Sequence, residues 1–166
     1  MIGRVQLRAA EAGDATEIGK IWSAGWRDGH LRHVPDELVA ARTPESFLSR
    51  AVERVGDTTV AAVDSMVAGF VMVLGDEVEQ VYVSSAHRGT GTASVLLTAA
   101  EHRVTANGHR RAWLAVVAGN DRARRFYTRN GWRDEGPFDY VAGGVDNPIT
   151  VSAHRYTKDV RASAPA

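Results

Sequence analysis

The sequence contains no cysteine, no excess of charge and no long apolar run. The absence of cysteine excludes disulfides, thiolate metal ligands and a cysteine nucleophile. Twenty Lys and Arg residues balance twenty Asp and Glu residues, so the net charge does not indicate a nucleic acid or an anionic membrane as partner. No stretch approaches the roughly 20 apolar residues that cross a bilayer, and the first residues lack the apolar core of a signal peptide. We therefore expect a cytoplasmic protein.

The chain has the length and composition of one folded domain. Its 166 residues are 44% hydrophobic, which is enough apolar material for a sizeable core. No internal repeat, low-complexity block or linker rich in Pro, Gly or Ser divides the sequence. We predict a single domain over residues 1–160, followed by a frayed tail over residues 161–166.

The first half of the sequence predicts a strand, several helical turns and a hairpin. The alternating stretch RVQLR indicates a strand, and Asp14 stands where the N-cap of an amphipathic helix is expected. Thr43 and Pro44 have the positions of a cap and a first helical residue, which predicts a second helix or helix pair. The apolar positions expected to form the face of that helix are Phe47, Leu48, Ala51, Val52 and Val55. Two β-rich runs around residues 64–65 then predict a hairpin in a sheet covered on both faces.

The second half of the sequence predicts a β-α-β unit and a closing hairpin. Residues 77–83 and 111–117 have the composition of strands, and the helix between them ends at Asn107 and Gly108. Two parallel strands joined in this way strongly prefer a right-handed crossover. A short helix after Asn120 and two further strands complete a mixed α/β sheet of about seven strands.

A basic turn with two glycines joins the first of these strands to the helix. Gly89 and Gly91 carry no side chains that would block close approach, and the N–H groups at a helix start lack intrahelical partners. Arg88 adds a guanidinium, while Thr90 and Thr92 add hydroxyl donors. The junction therefore predicts a site for an anion such as phosphate; the alternative is that the glycines serve the strand–helix turn alone. Neither the Walker motif nor the dinucleotide fingerprint fits, since the required lysine and acidic residue are missing.

Three stretches, in this order, resemble the GNAT family of N-acyltransferases. LRAAEAGDATEI is similar to a common GNAT start, RGTGTA fits the signature R/Q-x-x-G-x-G/A, and residues 120–132 resemble the segment N-x-x-A-x-x-x-Y-x-x-x-G-F/W. The resemblance covers most of the chain and is most specific between Gln80 and Trp132. It implies a mostly antiparallel sheet of about seven strands flanked by about four helices, with strands 4 and 5 parallel and splayed apart.

The resemblance also implies acetyl-coenzyme A as the acyl donor. In GNAT proteins the glycine turn binds the pyrophosphate of this cofactor, and here that turn consists of Arg88, Gly89, Thr90, Gly91, Thr92 and Ala93. The backbone of Val81 and Val83 is expected to pair with the pantetheine arm, and the Val83 N–H to face the thioester oxygen. Asn120 is expected to cap its helix and to contact the cofactor. Tyr127 is also expected to contact the cofactor.

Acetyl transfer to an amine needs a proton acceptor and a proton donor. A lysine-type amine has a pKa near ~10.4 and is mostly charged at neutral pH. Glu77 and Glu79 have the same parity in their strand; we prefer Glu79 as the base because it is nearer to Val81, and keep Glu77 and water as alternatives. The competing interpretation is that both carboxylates are solvated. The resemblance implies that Tyr127 protonates the departing thiolate, whereas core packing beside Phe126 is the structural alternative.

These features predict an acetyl-CoA-dependent N-acetyltransferase for a primary amine of a small molecule, a protein or a peptide. The alternative is a non-catalytic coenzyme A-binding module with a regulatory or structural role. Six scattered histidines lack metal-ligand spacing, so we predict no metal. We expect no nucleic-acid or membrane partner, and the sequence is compatible with a homodimer. Trp26, His30 and Tyr140 are candidates for the acceptor pocket.

Overall fold

The protein is built on one mixed β-sheet. The computed structural model describes residues 3–144 and 146–161, so residues 162–166 of the predicted tail lie outside the described residues. The strands are β1 (Val5–Ala9), β2 (Thr58–Val63), β3 (Met66–Leu74), β4 (Glu77–Val83), β5 (Arg111–Val117), β6 (Arg133–Gly144) and β7 (Asn147–Asp159). Their order in the sheet is β1-β2-β3-β4-β5-β7-β6, and only β4 and β5 are parallel neighbours. The predicted mixed, mostly antiparallel sheet is confirmed.

The described residues contain five α-helices rather than about four. They are α1 (Ala15–His30), α2 (Asp36–Ala41), α3 (Pro44–Glu53), α4 (Thr92–Ala106) and α5 (Asp121–Arg129). The additional helix is the short α2, which starts directly after Pro35. A proline sets the chain direction at the start of such a helix and cannot continue a preceding one. No helix among the described residues has both the length and the apolar character needed to cross a membrane.

Apolar side chains fill both sides of the sheet. On one side Trp22 of α1 packs 5.5 Å from Phe47 of α3 and 5.8 Å from Phe70 of β3, measured between ring centroids. On the other side Leu96 and Leu97 of α4 are fully buried against the strands. The sheet is therefore covered on both faces, as the continuous apolar character of β2 and β3 predicts.

The predicted apolar face of α3 is partly wrong. Leu48 and Val52 are 42% and 59% exposed, whereas Phe47 and Ala51 are completely buried. Successive helical positions differ by about 100°, so only the narrower stripe through Phe47 and Ala51 faces α1 and the sheet. The predicted start of this helix is present, because Thr43 Oγ1 accepts the Ser46 N–H at 3.1 Å.

Asp14 has the predicted N-cap position of α1, but its side chain does not cap the helix. Asp14 directly precedes the helix, but no N–H of the helix donates to its carboxylate. That carboxylate instead accepts the Glu11 N–H at 2.8 Å and both terminal nitrogens of Arg8 at 2.7 and 2.9 Å. Asp14 therefore fastens β1 and the turn before α1, which is a tertiary contact that local spacing does not reveal.

Strands β4 and β5 separate soon after they meet. They pair at Glu77 and Trp113 alone, and the Trp113 N–H donates to the Asp76 carbonyl at 3.1 Å. Strand β4 continues to pair with β3 as far as Val83, so β5 is the strand that diverges. The predicted parallel and splayed pair is confirmed, and the divergence leaves a gap between the carboxyl-terminal halves of the two strands.

Candidate active site

Two cavities meet at the gap between β4 and β5. One, of about 290 Å³, is lined among others by Arg42, Arg50, Glu77, Glu79 and Tyr140, and we call it the Glu77 cavity. The other, of about 610 Å³, is lined by the turn before α4 and by parts of α1 and α5, and we call it the glycine-turn groove. The residues that line both are Val81, Tyr82, Asn120, Ala123 and Tyr127. A ligand in the groove can therefore reach a second ligand in the cavity.

The glycine turn leaves backbone donors free at the start of α4. Gly89 and Gly91 have φ angles of +75° and +84°, which side-chain-bearing residues rarely adopt. Helix α4 begins with the bond from the Val95 N–H to the Gly91 carbonyl. In the part of the chain that the structure describes, no backbone carbonyl accepts from the N–H groups of residues 91–94. These donors and the positive end of the helix dipole form a site for an anion.

The hydroxyl groups of this turn are already engaged, contrary to expectation. Thr90 Oγ1 donates to the His87 carbonyl at 2.5 Å, so Thr92 Oγ1 is the donor in the 2.8 Å bond between the two hydroxyls. Both hydroxyl protons thus remain inside the turn. Arg88 is engaged as well, since its Nη2 donates to Asp28 of α1 at 2.7 Å. The backbone N–H groups, rather than the threonine side chains, are the donors left for an anion.

The glycine-turn groove is basic. Arg88, Arg122 and Arg129 line it, and the only acidic lining residue in the described chain is Asp28, the partner of Arg88. Arg124 points elsewhere and donates to the Ala118 carbonyl at 3.2 Å. The excess of guanidinium groups suits a ligand with several negative charges. Arg129 is a lining residue that the sequence analysis missed.

The backbone of β4 presents donors and acceptors to the gap. The Ser84 N–H donates to the Ala68 carbonyl on β3 at 2.8 Å. Because alternate residues of a strand direct their N–H groups to opposite sides, Val83 and Val81 direct theirs away from β3. Both valines line the glycine-turn groove. An extended ligand with amide groups could therefore pair with β4 in the place that β5 has vacated.

A β-bulge brings three polar side chains of β4 to one cavity. The pairing of β3 with β4 moves from Val73 opposite Val78 to Met72 opposite Gln80, so Glu79 is an additional residue. Bulges of this kind re-aim side chains, often beside functional sites. Glu77, Glu79 and Gln80 all line the Glu77 cavity. The structure thus places the two predicted candidates for the base on the same side of the sheet.

Glu79 forms an ion pair inside the protein. Its Oε1 accepts from Arg54 Nη1 at 2.7 Å, and the exposed fractions of the two side chains are 13% and 21%. Arg54 also donates from Nε to Asp57 at 3.1 Å. The Glu79 carboxylate is therefore already engaged by a guanidinium of the protein itself.

Glu77 has a different environment. Its Oε2 accepts the hydroxyl proton of Tyr140 at 2.8 Å, and no Lys or Arg among the described residues forms an ion pair with it. Burial raises the pKa of Glu77, and the nearby charge of Glu79 adds to this rise. Burial also raises the pKa of Tyr140, so the phenol keeps its proton at neutral pH. Glu77 is therefore the better adapted of the two carboxylates to exchange a proton.

Two tyrosines stand where the cavities meet. The ring centroid of Tyr127 lies 5.2 Å from that of Phe126 and 6.2 Å from that of Trp132, so the residue does contribute to core packing. Its hydroxyl nevertheless forms no hydrogen bond within the described chain, and the residue lines both cavities. Burial raises the pKa of Tyr127 above its ordinary value, which keeps the phenol protonated. Tyr82, which the sequence analysis missed, shares these properties.

Helix α1 approaches the site closely because it carries glycines on that side. A Cβ atom on Gly29 would lie 2.7 Å from Asn120 Nδ2, and one on Gly25 would collide with the ring of Tyr82. Asn120 caps α5 by accepting the Ala123 N–H at 3.2 Å and also lines both cavities. The contact of α1 with β4 and α5 thus forms a wall of the site.

The acceptor candidates of the sequence analysis all lie in the Glu77 cavity. Trp26, His30 and Tyr140 line it, although Trp26 is also part of the core. Burial lowers the pKa of His30 to about 4, and its Nδ1 bonds to the Trp26 carbonyl at 2.9 Å, so His30 is neutral. Arg42 and Arg50 of the same cavity were missed, since a lone arginine near a helix end ordinarily indicates a solvated surface. No three His, Asp or Glu side chains of the described residues gather in a way that could hold a metal ion.

Sequence comparison identifies the family to which the chain belongs. The model of the acetyltransferase (GNAT) family matches residues 16–132, which includes α1, the turn, the splayed strands and α5. The chain belongs to the GNAT family. It is also 34% identical over 89 residues to uncharacterized N-acetyltransferases from Mycobacterium tuberculosis and Mycobacterium bovis. That match spans 48% of this chain and about half, 54%, of the length of these relatives.

Solved structures show the same GNAT fold. A GCN5-related N-acetyltransferase from Rhodopseudomonas palustris aligns with a TM-score of 0.73 at 19% identity, over 96% of this chain and 98% of the other. The PaiA N-acetyltransferase from Thermoplasma acidophilum, in complex with coenzyme A, gives 0.70 at 18% identity over 94% and 99%. A putative acetyltransferase from Salmonella typhimurium with acetyl-CoA gives 0.69 at 17% identity over 98% of each chain. At these identities the likeness establishes the fold alone.

Proposed function

We propose that the protein is an acetyl-CoA-dependent N-acetyltransferase that acetylates a primary amine by direct attack. The observation that carries this proposal is the meeting of two unlike cavities at Tyr127. The glycine-turn groove offers anion donors, and the Glu77 cavity offers carboxylates. A coenzyme A-binding module without turnover would need the groove, but it would not need carboxylates and phenols at its end.

The groove suits the pyrophosphate and the pantetheine arm of coenzyme A. The N–H groups at the start of α4 would bind the pyrophosphate, with Arg88, Arg122 and Arg129 adding positive charge. The Val83 backbone and the Val81 carbonyl would pair with the two amides of the pantetheine arm across the gap left by β5. Two solved structures of this fold contain coenzyme A or acetyl-CoA, which supports this arrangement.

The reaction forms a C–N bond and breaks a C–S bond. Acetyl-CoA supplies the activated acetyl group as a thioester. The thioester has to lie where the cavities meet, and there the Val81 N–H, rather than the expected Val83 N–H, would donate to its oxygen, where negative charge develops as the amine attacks. Glu77, directly or through water, would take the proton that the amine loses, with Glu79 as the alternative acceptor. Tyr127 would donate its proton to the sulfur that leaves as a thiolate, and the phenolate would regain a proton from solvent.

Thiol release from acetyl-CoA across a panel of amines tests the proposal. The panel should contain amino acids, polyamines, aminoglycosides and peptides with free N-termini, because the acceptor could be a small molecule or a protein terminus. Saturable thiol release that depends on one amine, with the acetylated product identified by mass, would support the N-acetyltransferase. Tight binding of acetyl-CoA by calorimetry without thiol release for any amine would contradict it and favour the binding module.

A further inference from the structure

The Glu77 cavity contains two guanidinium groups without counter-ions. Arg42 follows α2 and Arg50 lies on α3, and both line the cavity. Neither forms an ion pair with any of the described residues. The two carboxylates of the cavity are already engaged, Glu79 by Arg54 and Glu77 by Tyr140. Among the described residues, the cavity therefore contains two unpaired cations, and both of its carboxylates already have partners.

Arg50 is the more buried of the two guanidinium groups. Its Cζ lies 4.2 Å from the centre of the Trp22 ring, so the indole supports one face of the guanidinium. Its Nη1 is buried and has no hydrogen-bond partner in the described structure. Burial lowers the pKa of Arg50 to about 10, and the neighbouring charge of Arg42 contributes to this decrease. A buried guanidinium N–H without a partner is costly unless a ligand supplies an acceptor.

A carboxylate is the ligand group that best satisfies this arrangement. The planar fork of arginine matches two carboxylate oxygens, and Arg42 can add a second cation beside it. The cavity volume of about 290 Å³ is at the lower end for small-molecule sites, which favours a compact acceptor. The positive charges of Arg42 and Arg50 disfavour a polyamine, because each of its amino groups is cationic.

We infer that the acceptor is a compact primary amine that also carries a carboxylate, which Arg50 and Arg42 bind. This inference rests on the proposed acetyl transfer and specifies its substrate class. The amino group of such a molecule would lie toward Glu77 and the cofactor gap, and its carboxylate toward α3. Neutral His30, whose Nδ1 donates to the Trp26 carbonyl, leaves Nε2 as an acceptor in the same cavity.

Matched pairs of amines test the inference on the unmodified protein. Each α- or ω-amino carboxylate is compared with its carboxamide and with its phosphonate analogue in the thiol-release assay. We expect at least one carboxylate to exceed its amide in kcat/KM by roughly 10- to 100-fold, the range for a hydrogen bond to a charged group. Equal rates for acids and amides, a preference for polyamines, or activity with phosphonates alone would overturn the inference while leaving the acetyltransferase intact.

Substitution of the arginines tests the assignment of the residues. Arg50→Gln and Arg42→Gln should each raise KM for the carboxylate about tenfold or more and leave the amide nearly unaffected. Arg27→Gln on the exposed side of α1 is the matched control for loss of one positive charge, and it should change neither. If a substitution lowers kcat/KM equally for the acid and the amide, that arginine contributes to folding rather than to recognition of the carboxylate. Melting temperatures and the acid-to-amide ratio separate these results.

A binding measurement decides the inference even if no amine turns over. The protein saturated with coenzyme A is titrated by calorimetry with the same acids and amides. Binding of an acid, weakened in Arg50→Gln and Arg42→Gln but not in Arg27→Gln, would support the anion site although the proposed reaction had failed. No binding of any acid at millimolar concentration, together with no turnover, would reject both.

Discussion

The two cavities differ in how their walls are distributed along the chain. The glycine-turn groove takes most of its binding groups from two short stretches, residues 81–94 and 120–129. The Glu77 cavity takes its walls from all five helices except α4, from strands β4 to β7 and from the loop after β5. Local motifs can specify the first, because each of the two stretches is continuous in sequence and the anion donors depend only on one turn and one helix start. The second exists only after distant elements have packed together.

This difference separates what the fold binds from what the individual protein acts on. The anion donors of the groove are backbone N–H groups, so they require glycine at one or two positions and a helix start. The Glu77 cavity relies on side chains such as Arg50 and Tyr140, which can vary without changing the sheet.

Tyr127 lies at that boundary, and its substitution should have the largest effect. Tyr127→Phe keeps the ring that packs on Phe126 and Trp132 and removes only the hydroxyl. If this hydroxyl protonates the thiolate, kcat should fall by roughly 10² to 10⁴, while the affinity for acetyl-CoA and the melting temperature stay nearly constant. Steady-state kinetics and calorimetry on the same preparation measure these quantities.

Tyr82→Phe is the matched control for this prediction. Tyr82 lines both cavities, has a pKa raised by burial, and lacks a hydroxyl hydrogen bond within the described chain. A large loss of kcat for Tyr82→Phe with none for Tyr127→Phe would transfer the proton-donor role to Tyr82. Unchanged kcat for both variants would mean that the thiolate leaves without a protein donor.

Glu77 should show the next largest effect, with a characteristic pH dependence. The pKa of Glu77 is raised. As pH falls, its carboxylate therefore takes up a proton at a higher pH than an ordinary glutamate does. Below that pKa the base is lost and kcat/KM should decrease. Glu77→Gln should lower kcat/KM by roughly 10² at neutral pH, and the deficit should shrink as pH rises toward the amine pKa near ~10.4.

Glu79→Gln distinguishes a base from a structural ion pair. Removing this carboxylate leaves Arg54 without its 2.7 Å partner in a largely buried position. The variant should therefore melt at a lower temperature, but its pH profile should parallel that of the parent. A Glu79→Gln profile that recovers at high pH, with a parallel profile for Glu77→Gln, would assign the base to Glu79.

Much of the fold could be predicted because its signals are local. The hairpin around Asp64 and Ser65 requires two residues with positive φ, and the structure has +50° and +67° there. The strands on either side of α4 have the predicted bounds, and the helix ends before Gly108 at φ +91°. The pattern could not show that Leu48 and Val52 point to solvent, since their exposure depends on where α1 crosses α3.

The candidate site could be predicted in one cavity and hardly at all in the other. Spacing alone places Gly91 and Asn120 at helix starts, which they occupy. The sequence offers no sign that Arg54 pairs with Glu79 across 25 residues, or Tyr140 with Glu77 across 63. Without these partners Glu79 and Glu77 look equivalent, and distance to Val81 is the only criterion. The structure adds the different electrostatic environments.

Gly91 tests the groove with a smaller effect. Gly91→Leu places a side chain among the N–H donors of α4 at a backbone φ of +84°. The Kd for acetyl-CoA should rise about tenfold or more, which corresponds to the loss of one or two charge-assisted hydrogen bonds. Gly108→Leu is the control, because it has φ +91° and open space at the other end of the same helix. Both variants should lose about 1–2 kcal/mol of stability, but only Gly91→Leu should lose affinity; equal Kd values would exclude the turn as the anion site.

Substitution of Arg122 should have the smallest effect, and it tests which part of the cofactor lies beside this arginine. Arg122 and Arg125 are both exposed on α5, but only Arg122 lines the groove. An exposed charge pair contributes about 0.2–1 kcal/mol, so Arg122→Gln should raise the Kd for acetyl-CoA roughly two- to fivefold. If Arg122 contacts the adenosine 3′-phosphate, Arg122→Gln and the parent should have the same Kd for the acetyl-CoA analogue that lacks this phosphate. Arg125→Gln should match the parent with both ligands, and a rise as large as that of Arg122→Gln would attribute the effect to overall charge rather than to a contact.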